Sequence, residues 1–243
     1  MANALSWIDT MKPWQLITEV IADGQTQMAI DNALLDAHIK GDRPSMLRFY
    51  RWPRPTLSLG YHQRDYPEQW NRVTWQGEKL PIVRRPTGGR GVLHQGDLTY
   101  MVVTSELAPG RRESYEQICQ FLIEGFGRLG VELRYGSGGR GYIHQPDCFG
   151  TATAADLVLP DGSKLIGSAQ LRREGAILQH GSIRLNPDRG LYQQVFGAQQ
   201  LPQVPEDWRS GDRVITVLGQ AAQDCFGGDW QTAQINPRDL GVG

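Results

Sequence analysis

The chain is poor in every feature that would mark a secreted, membrane-borne or metal-held protein. Its three cysteines, Cys119, Cys148 and Cys225, are too few and too scattered for a disulfide framework, and none forms a Cys-x-x-Cys pair for zinc. The five histidines, His38, His62, His94, His144 and His180, are equally dispersed, so neither a metal site nor a metal cofactor is expected. No uninterrupted apolar run approaches the ~20 residues of a membrane span, and the N-terminus lacks an apolar core of signal-peptide length. A cytoplasmic protein without a membrane partner is therefore expected. Net charge is also missing: 25 basic against 26 acidic residues leave −1, which removes any global attraction to nucleic acid and confines electrostatic partnering to local patches. What remains is 243 residues, 40% hydrophobic and 21% charged, the composition of a globular domain long enough for a sizeable core.

One stretch organises the rest. Arg84 to Val103 reads RRPTGGRGVLHQGDLTYMVV. Apolar residues before it (Leu80, Ile82, Val83) and after it (Leu98, Tyr100, Val102) are strand material, so Gly88, Gly89 and Gly91 fall in a strand-to-strand loop. Closely spaced glycines let backbone enter positive φ and approach a ligand, and free N–H groups can then cradle an anion or a carbonyl oxygen. A dinucleotide fingerprint or P-loop fails on context, because each needs a helix directly after the glycines. A tight hairpin is the plain alternative. The company favours a binding loop: Arg84 and Arg85 enter it, Arg90 lies inside it, and His94 and Asp97 follow.

Around this loop the pattern predicts an edge strand over Trp14 to Val20, a helix over Gln27 to Ile39, and two short strands, Met46 to Trp52 and Thr56 to Leu59, about Pro53-Arg54-Pro55. Tyr61 to Trp75 reads as an irregular loop or short helix. Ser114 to Leu129 is the clearest helix, with Ser114 and Gln117 spaced as a capping box and Gly130 as its stop. Strands follow at Val131 to Tyr135, Asp156 to Leu159, Lys164 to Leu171 and Ala176 to Leu185, and a helix at Asp212 to Phe226. Phe196 to Pro205 reads as a connector. Cys119 and Cys225 fall on buried helical stripes and are expected to be inert.

Cys148 is different. It lies in Gly136 to Ala155, GSGGRGYIHQPDCFGTATAA, a glycine-rich stretch without helical or strand period, and a thiol must be accessible to react. A shielded loop cysteine is the competing assignment. The period of two places Lys164, Ile166, Ser168 and Gln170 on one strand face, beside a partner bearing His180, Ser182 and Arg184. A lysine heading such a face would lower a thiol's pKa from its reference of about 8.5 or donate to a developing oxyanion. The competing assignments are a solvated turn lysine and a structural histidine.

RRPTGGRGVLH at Arg84 to His94, PTLSLG at Pro55 to Gly60, and KLIGSAQ with ILQHGS at Lys164 to Gln170 and Ile177 to Ser182 resemble motifs of the biotin/lipoate protein ligase superfamily. The resemblance runs from the first helix to about Leu185. It implies an α/β (α+β) fold with a central mixed, mainly antiparallel sheet flanked by helices, forming a single catalytic domain over residues 1–243 with no separate C-terminal accessory domain. No N-terminal helix-turn-helix precedes the motifs, so a DNA-binding biotin regulator is not expected.

Within that superfamily the ATP-dependent lipoate ligases carry an Asn-Asp pair where this chain has Ala155-Asp156. Cys148-Phe149 upstream instead resembles the cysteine-nucleophile octanoyltransferases. That implies octanoyl-acyl carrier protein as donor, a lipoyl-domain protein such as the glycine cleavage H protein or a 2-oxoacid dehydrogenase E2 subunit as acceptor, and no cofactor. The chemistry agrees, since a thioester is already activated and needs no ATP. The expected catalytic residues are Cys148 as nucleophile and Lys164 at the carbonyl oxygen. Arg85, Gly88, Gly89, Arg90, Gly91, His94, Gly167, Ser168, Gln170 and His180 are expected to bind or orient substrate. Burying the octanoyl methylenes at ~0.8 kcal/mol each is worth roughly 5 kcal/mol and favours a tail-shaped tunnel. Three other assignments fit the same residues: an ATP-dependent lipoate ligase, an amidotransferase between lipoyl domains, and a non-catalytic carrier-binding module. Arginines near the motifs (Arg84, Arg85, Arg90, Arg111, Arg112, Arg140, Arg172, Arg173) are expected to steer an acidic carrier.

Overall fold

The computed structural model describes residues 12–136 and 156–242. Its main body is an eight-stranded mixed sheet built from β1 (Pro13–Ile17), β2 (Ser45–Tyr50), β8 (Asp97–Thr104), β9 (Arg134–Tyr135), β10 (Leu157–Val158), β11 (Lys164–Arg173), β12 (Ala176–Arg184) and β13 (Asp229–Ala233). The order across the sheet is β13-β1-β2-β8-β12-β11-β10-β9. Pairing is antiparallel from β2 onward, while β13, β1 and β2 run parallel. β3 (Thr56–Leu59), β6 (Ile82–Arg84) and β7 (Val92–His94) form a small second sheet, and β4 (Thr74–Trp75) pairs with β5 (Glu78–Lys79).

Alternation along the central strands divides their side chains between two cores. Leu47 and Phe49 of β2, Leu98, Tyr100 and Val102 of β8, and Ile177 and Ile183 of β12 meet α2 (Arg111–Arg128) and α4 (Asp212–Phe226) on one face. Met46 and Tyr50, Met101 and Val103, and Ala176 and Leu178 meet α1 (Gly24–Ile39) on the other. Each fully buried aliphatic side chain contributes ~1.5–3 kcal/mol, so a sheet sealed on both faces forms a stiff platform. A third cluster lies under the small sheet, where Trp70, Leu93 and Leu57 pack with Leu191 and Tyr192 of α3 (Arg189–Phe196). Among the described residues no helix is long and apolar enough to cross a membrane.

Several sequence expectations change here. β1 is not an edge strand, because β13 pairs with it over Pro13 to Ile17. The predicted capping box is not used. α2 begins at Arg111 after Gly110, and no side chain caps it. Ser114 sits inside the first turn, where its hydroxyl donates to Arg111 O at 3.2 Å and accepts from the Arg172 guanidinium. Arg172 also donates to Pro109 O and Gly110 O, both at 2.8 Å, so a side chain from β11 fixes this helix start. Cys225 is exposed. In the last turn of α4 it is Phe226 that turns inward, stacking on Trp14 with ring centroids 4.7 Å apart.

Candidate active site

The glycine loop joins β6 to β7 and is wired from beneath. Arg85 donates to Ser58 O at 2.9 Å, Gly88 O at 2.8 Å and Arg90 O at 2.7 Å. Three carbonyls on one planar guanidinium fix the loop's curvature, a task suited to arginine's fork of donors. Arg84 does the same for the adjoining turn, reaching Gly60 O and Gln63 O, each at 2.8 Å. The two segments touch: Tyr61 N donates to Thr87 O at 2.8 Å, and a Cβ on Gly60 would stand 2.0 Å from Gly89 O. Of the three loop glycines only Gly89 has positive φ, at 94°. Nothing lies within 4 Å of a Cβ placed on Gly88, so that position borders open space.

On the α1 face of the sheet, β12 offers His180 to this loop. Thr87 Oγ1 lies 2.6 Å from His180 Nε2, and His180 Nδ1 lies 3.0 Å from Asp31 Oδ2. Asp31, a buried acid on α1, also accepts from Tyr50 OH at 2.9 Å and Arg48 at 3.1 Å. Burial pushes the His180 pKa below its ordinary value, against the pull of Asp31. The neutral ring therefore donates from Nδ1 to the carboxylate and accepts the Thr87 hydroxyl at Nε2. A second chain runs alongside. His94 places Nδ1 2.8 Å from Asp97 Oδ2 and Nε2 2.9 Å from Ser58 Oγ, and Ser182 donates to the same Asp97 oxygen at 2.6 Å. Trp52 stacks on the His94 ring at 3.8 Å. His94 and His180 are thus oriented by carboxylates and tied to the loop and its flanking strand.

Lys164 opens β11 buried, 4% exposed, with its Nζ 2.8 Å from Asp156 Oδ1. Its placement departs from the period of two. Leu157 pairs with Ile166 and Val158 with Lys164, so Leu165 is left over in a β-bulge. Leu165 and Ile166 both enter the α2-side core, as consecutive residues of a regular strand do not. The bulge removes Lys164 from the face of Ile166, Ser168 and Gln170, correcting the expectation that all four share one. The pairing expectation is corrected too: Ser168 faces Gly181 and Gln170 faces Gln179, whereas Gly167 faces Ser182 and Ala169 faces His180. Arg184 donates to Lys164 O at 2.7 Å, fixing the lysine's backbone from β12.

Ser168 and Gln170 consequently lie on the α2 side, away from His180. Tyr100 OH donates to Ser168 Oγ at 2.8 Å, Gln179 donates to Tyr100 OH at 3.0 Å, and Gln170 donates to Gln179 Oε1 at 3.2 Å. Cys119 closes this cluster, its thiol pushed up to about 12 by burial. Gly181 permits the packing, since a Cβ there would meet Ser168 Oγ at 2.5 Å and the Tyr100 ring at 2.6 Å. The arginine cluster is also largely committed. Arg84, Arg85 and Arg172 brace backbone, Arg112 pairs with Glu116 at 2.8 Å, and Arg173 pairs with Asp36. Cys148 and Arg140 lie outside the described residues.

The structure thus brings Arg85, Gly88, Gly89, Arg90, His94 and His180 into one assembly and sets Lys164 on the neighbouring strand. Sequence reasoning missed Asp31, Thr87 and Ser58, and gave Asp156 no role. Asp31 did carry a signal: an acid among the apolar residues of QMAIDNALL is buried only when paired.

Residues 23–218 match the lipoyl protein ligase A/B catalytic domain. A protein named octanoyltransferase LipM from Kyrpidia tusciae is 40% identical over 189 residues, covering 73% of this chain and 68% of that protein. Its namesake from Symbiobacterium thermophilum is 41% identical over 198 residues, covering 78% and 70%. Among solved structures, lipoate-protein ligase A bound with ATP superposes with a TM-score of 0.73 at 21% identity, covering 95% of this chain and 92% of that one. The bipartite lipoate protein ligase of Thermoplasma acidophilum gives 0.69 at 21%, covering 95% and 90%. These two likenesses extend to the fold, the helix-flanked mixed sheet that the motifs implied. On the extent of the domain match and of the identity to its relatives, the chain belongs to the lipoyl protein ligase A/B catalytic domain family.

Proposed function

We propose that this protein is an octanoyltransferase of lipoate biosynthesis, moving an octanoyl group from acyl carrier protein to a lysine of a lipoyl domain through a thioester on Cys148. Its relatives at about 40% identity carry the name octanoyltransferase, and a lipoyl domain is the partner named with the bipartite ligase. The observation that carries the reading is Lys164. A buried ammonium held 2.8 Å from one carboxylate, at the start of the strand that pairs with the one touching the braced glycine loop, is a preorganised positive charge for a developing oxyanion. The Cys148 thiolate attacks the thioester carbon, forming the new S–C bond while Lys164 steadies the oxygen. Collapse expels the carrier's thiolate, which takes up a proton. The acceptor lysine's neutral amine then attacks the acyl-cysteine, forms the amide with loss of one proton, which balances the proton taken up by the carrier thiolate, and releases the Cys148 thiolate. The loop from Arg85 to Gly91, with His94 and His180, lies along the acyl chain, and the acceptor is a lipoyl-domain protein such as the glycine cleavage H protein or a 2-oxoacid dehydrogenase E2 subunit. A paired assay tests this. Octanoyl-acyl carrier protein without ATP should load a lipoyl domain, whereas activity confined to free lipoate plus ATP would replace the transferase by a ligase.

A further inference from the structure

Beyond the Lys164 end of the sheet lies a feature that the proposed transfer step does not use. Where β12 ends, Leu185 and Asn186 enter one wall of an open cavity of about 320 Å³, and Leu201, Gln203 and Arg209 contribute another with Arg189 at its edge. The volume falls in the range of small-molecule sites. Its lining is chemically one-sided: two guanidinium groups, two side-chain amides and no carboxylate among the described lining residues. Most described arginines outside this cavity have a partner; Arg48, Arg51, Arg112, Arg128 and Arg213 are all paired with acids. Arg189 and Arg209 form no hydrogen bond or ion pair with their side chains among the described residues. Two guanidiniums without an acid partner, Arg209 in a wall and Arg189 at its edge, have planar donor forks that suit the oxygens of a phosphate.

Position identifies the phosphate. Along β12 the side chains meet successive parts of the site in order: His180 touches the glycine loop through Thr87, Arg184 holds the Lys164 carbonyl, and Leu185 and Asn186 reach the cavity. At ~3.3 Å per strand residue, His180 to Arg184 spans roughly 13 Å, a distance comparable with an extended eight-carbon acyl chain whose carbonyl is at the Lys164 end. The rest of a donor would continue past Lys164 toward the cavity. A carrier protein presents its acyl thioester on a pantetheine arm whose far end is a phosphodiester, about as long as four or five residues of extended chain, roughly 15 Å. The side-chain amides of Asn186 and Gln203 suit the amides of such an arm, and two arginines suit its terminus.

We infer that the cavity between the end of β12 and the Leu201–Arg209 segment, with Arg189 and Arg209, binds the phosphate of a 4′-phosphopantetheine arm and so selects carrier-borne over phosphate-free acyl donors. This rests on the octanoyl-transfer reading and specifies its donor. The test compares octanoyl-4′-phosphopantetheine with octanoyl-pantetheine as donors to a lipoyl domain. It uses the full chain and its Arg189→Gln/Arg209→Gln double variant, and calorimetric titration of 4′-phosphopantetheine into both proteins runs alongside. The wild-type protein should prefer the phosphorylated donor in kcat/KM by about tenfold or more, chiefly through KM, as charge-assisted contacts imply. The double variant should bring the ratio near one, Arg189→Lys/Arg209→Lys should restore part of it, and phosphopantetheine binding should weaken in parallel. Equal use of the two donors by the wild-type protein, or a preference that survives in the double variant, overturns the site. Failure of the transfer reading looks different: neither donor is used, while the titration still decides whether the arginines hold the phosphate. Binding of ATP and not of phosphopantetheine at these arginines would assign the cavity to a nucleotide and overturn the inference.

Discussion

Lys164 and Asp156 form an ion pair at 2.8 Å with both side chains nearly withdrawn from water, 4% and 6% exposed. A buried pair of this kind gains little net stability over an apolar replacement, but removing one partner strands the other charge at a cost of about 3–5 kcal/mol. It is retained where a charge is needed at a fixed point. Lys164→Ala should therefore lower kcat by about 10²-fold or more, the order seen on loss of an oxyanion donor. Lys164→Arg should fail to rescue, because a planar fork does not reproduce a compact ammonium. Asp156→Asn should lose stability as well as turnover. Near-normal kcat in Lys164→Ala, with a circular dichroism spectrum like the parent's, would remove the lysine from the chemistry.

The close approach of Gly60 to the glycine loop gives a second prediction. A methyl at Gly60 would meet Gly89 O at 2.0 Å and Gly89 C at 2.7 Å; both are backbone atoms in a loop that Arg85 holds at Gly88 O and Arg90 O, while Arg84 holds Gly60 O on the other side. Relief must come from displacement of the loop. Because a 1 Å misplacement of positioning groups can cost 10²-fold, Gly60→Ala should reduce kcat/KM by about one to two orders of magnitude, with the main sheet folded. Steady-state kinetics beside thermal melts read both, and unchanged kcat/KM would show that the loop does not position substrate.

How far this was readable in the sequence depends on the range of each contact. Thr56–Leu59 and Asp212–Phe226 appeared at the bounds predicted, since a strand between Pro55 and Gly60 and a helix with a strong apolar stripe are local patterns. β13 left no such trace: its pairing with β1 joins residues more than 200 positions apart, and a parallel partner leaves no turn signal. The short α3 went unpredicted, and the connector began only at its last residue, Phe196. The Ser114-x-x-Gln117 spacing matched a capping box, yet the actual start lies one turn earlier because Arg172 organises it. At the site, the glycine loop and its arginines were legible as motifs. The Asp31–His180 contact, separated by 149 residues, was not, and the bulge at Leu165 defeated a face assignment that rested on strict alternation.

The Asp31–His180–Thr87 chain predicts a pH dependence of stability. Burial depresses the folded-state pKa of His180 below 6.5, so between the folded and unfolded values the unfolded chain binds the extra proton. Stability then rises with pH across that window. The contribution is present above pH ~6.5 and is lost as pH falls through the folded value. The groups facing the ring are the Asp31 carboxylate from α1, the Thr87 hydroxyl from the loop, and the nearby Arg85 guanidinium and His94 ring. Urea midpoints between pH 7.5 and pH 5 should fall more steeply for the parent protein than for His180→Gln, which cannot take up the proton. Parallel slopes would mean that His180 does not titrate differently on folding.

A thiol of reference pKa about 8.5 is only a few per cent ionised at neutral pH, so a working Cys148 must be activated. The other two thiols are moved the opposite way: burial pushes Cys119 up to about 12 and also raises Cys225. Limiting iodoacetamide near pH 7 should therefore alkylate Cys148 well ahead of both, although Cys225 is exposed, and peptide mapping would read the order. Octanoyl-acyl carrier protein without acceptor should leave an octanoyl adduct on Cys148 that hydroxylamine cleaves, as it cleaves a thioester. Addition of a lipoyl domain should discharge the adduct at a rate compatible with turnover. Cys148→Ala should lose both steps, while Cys119→Ala and Cys225→Ala retain them. An adduct on another residue, or transfer that persists in Cys148→Ala, would displace this cysteine from the mechanism and leave direct attack of the acceptor lysine on the donor thioester as the route to be explained.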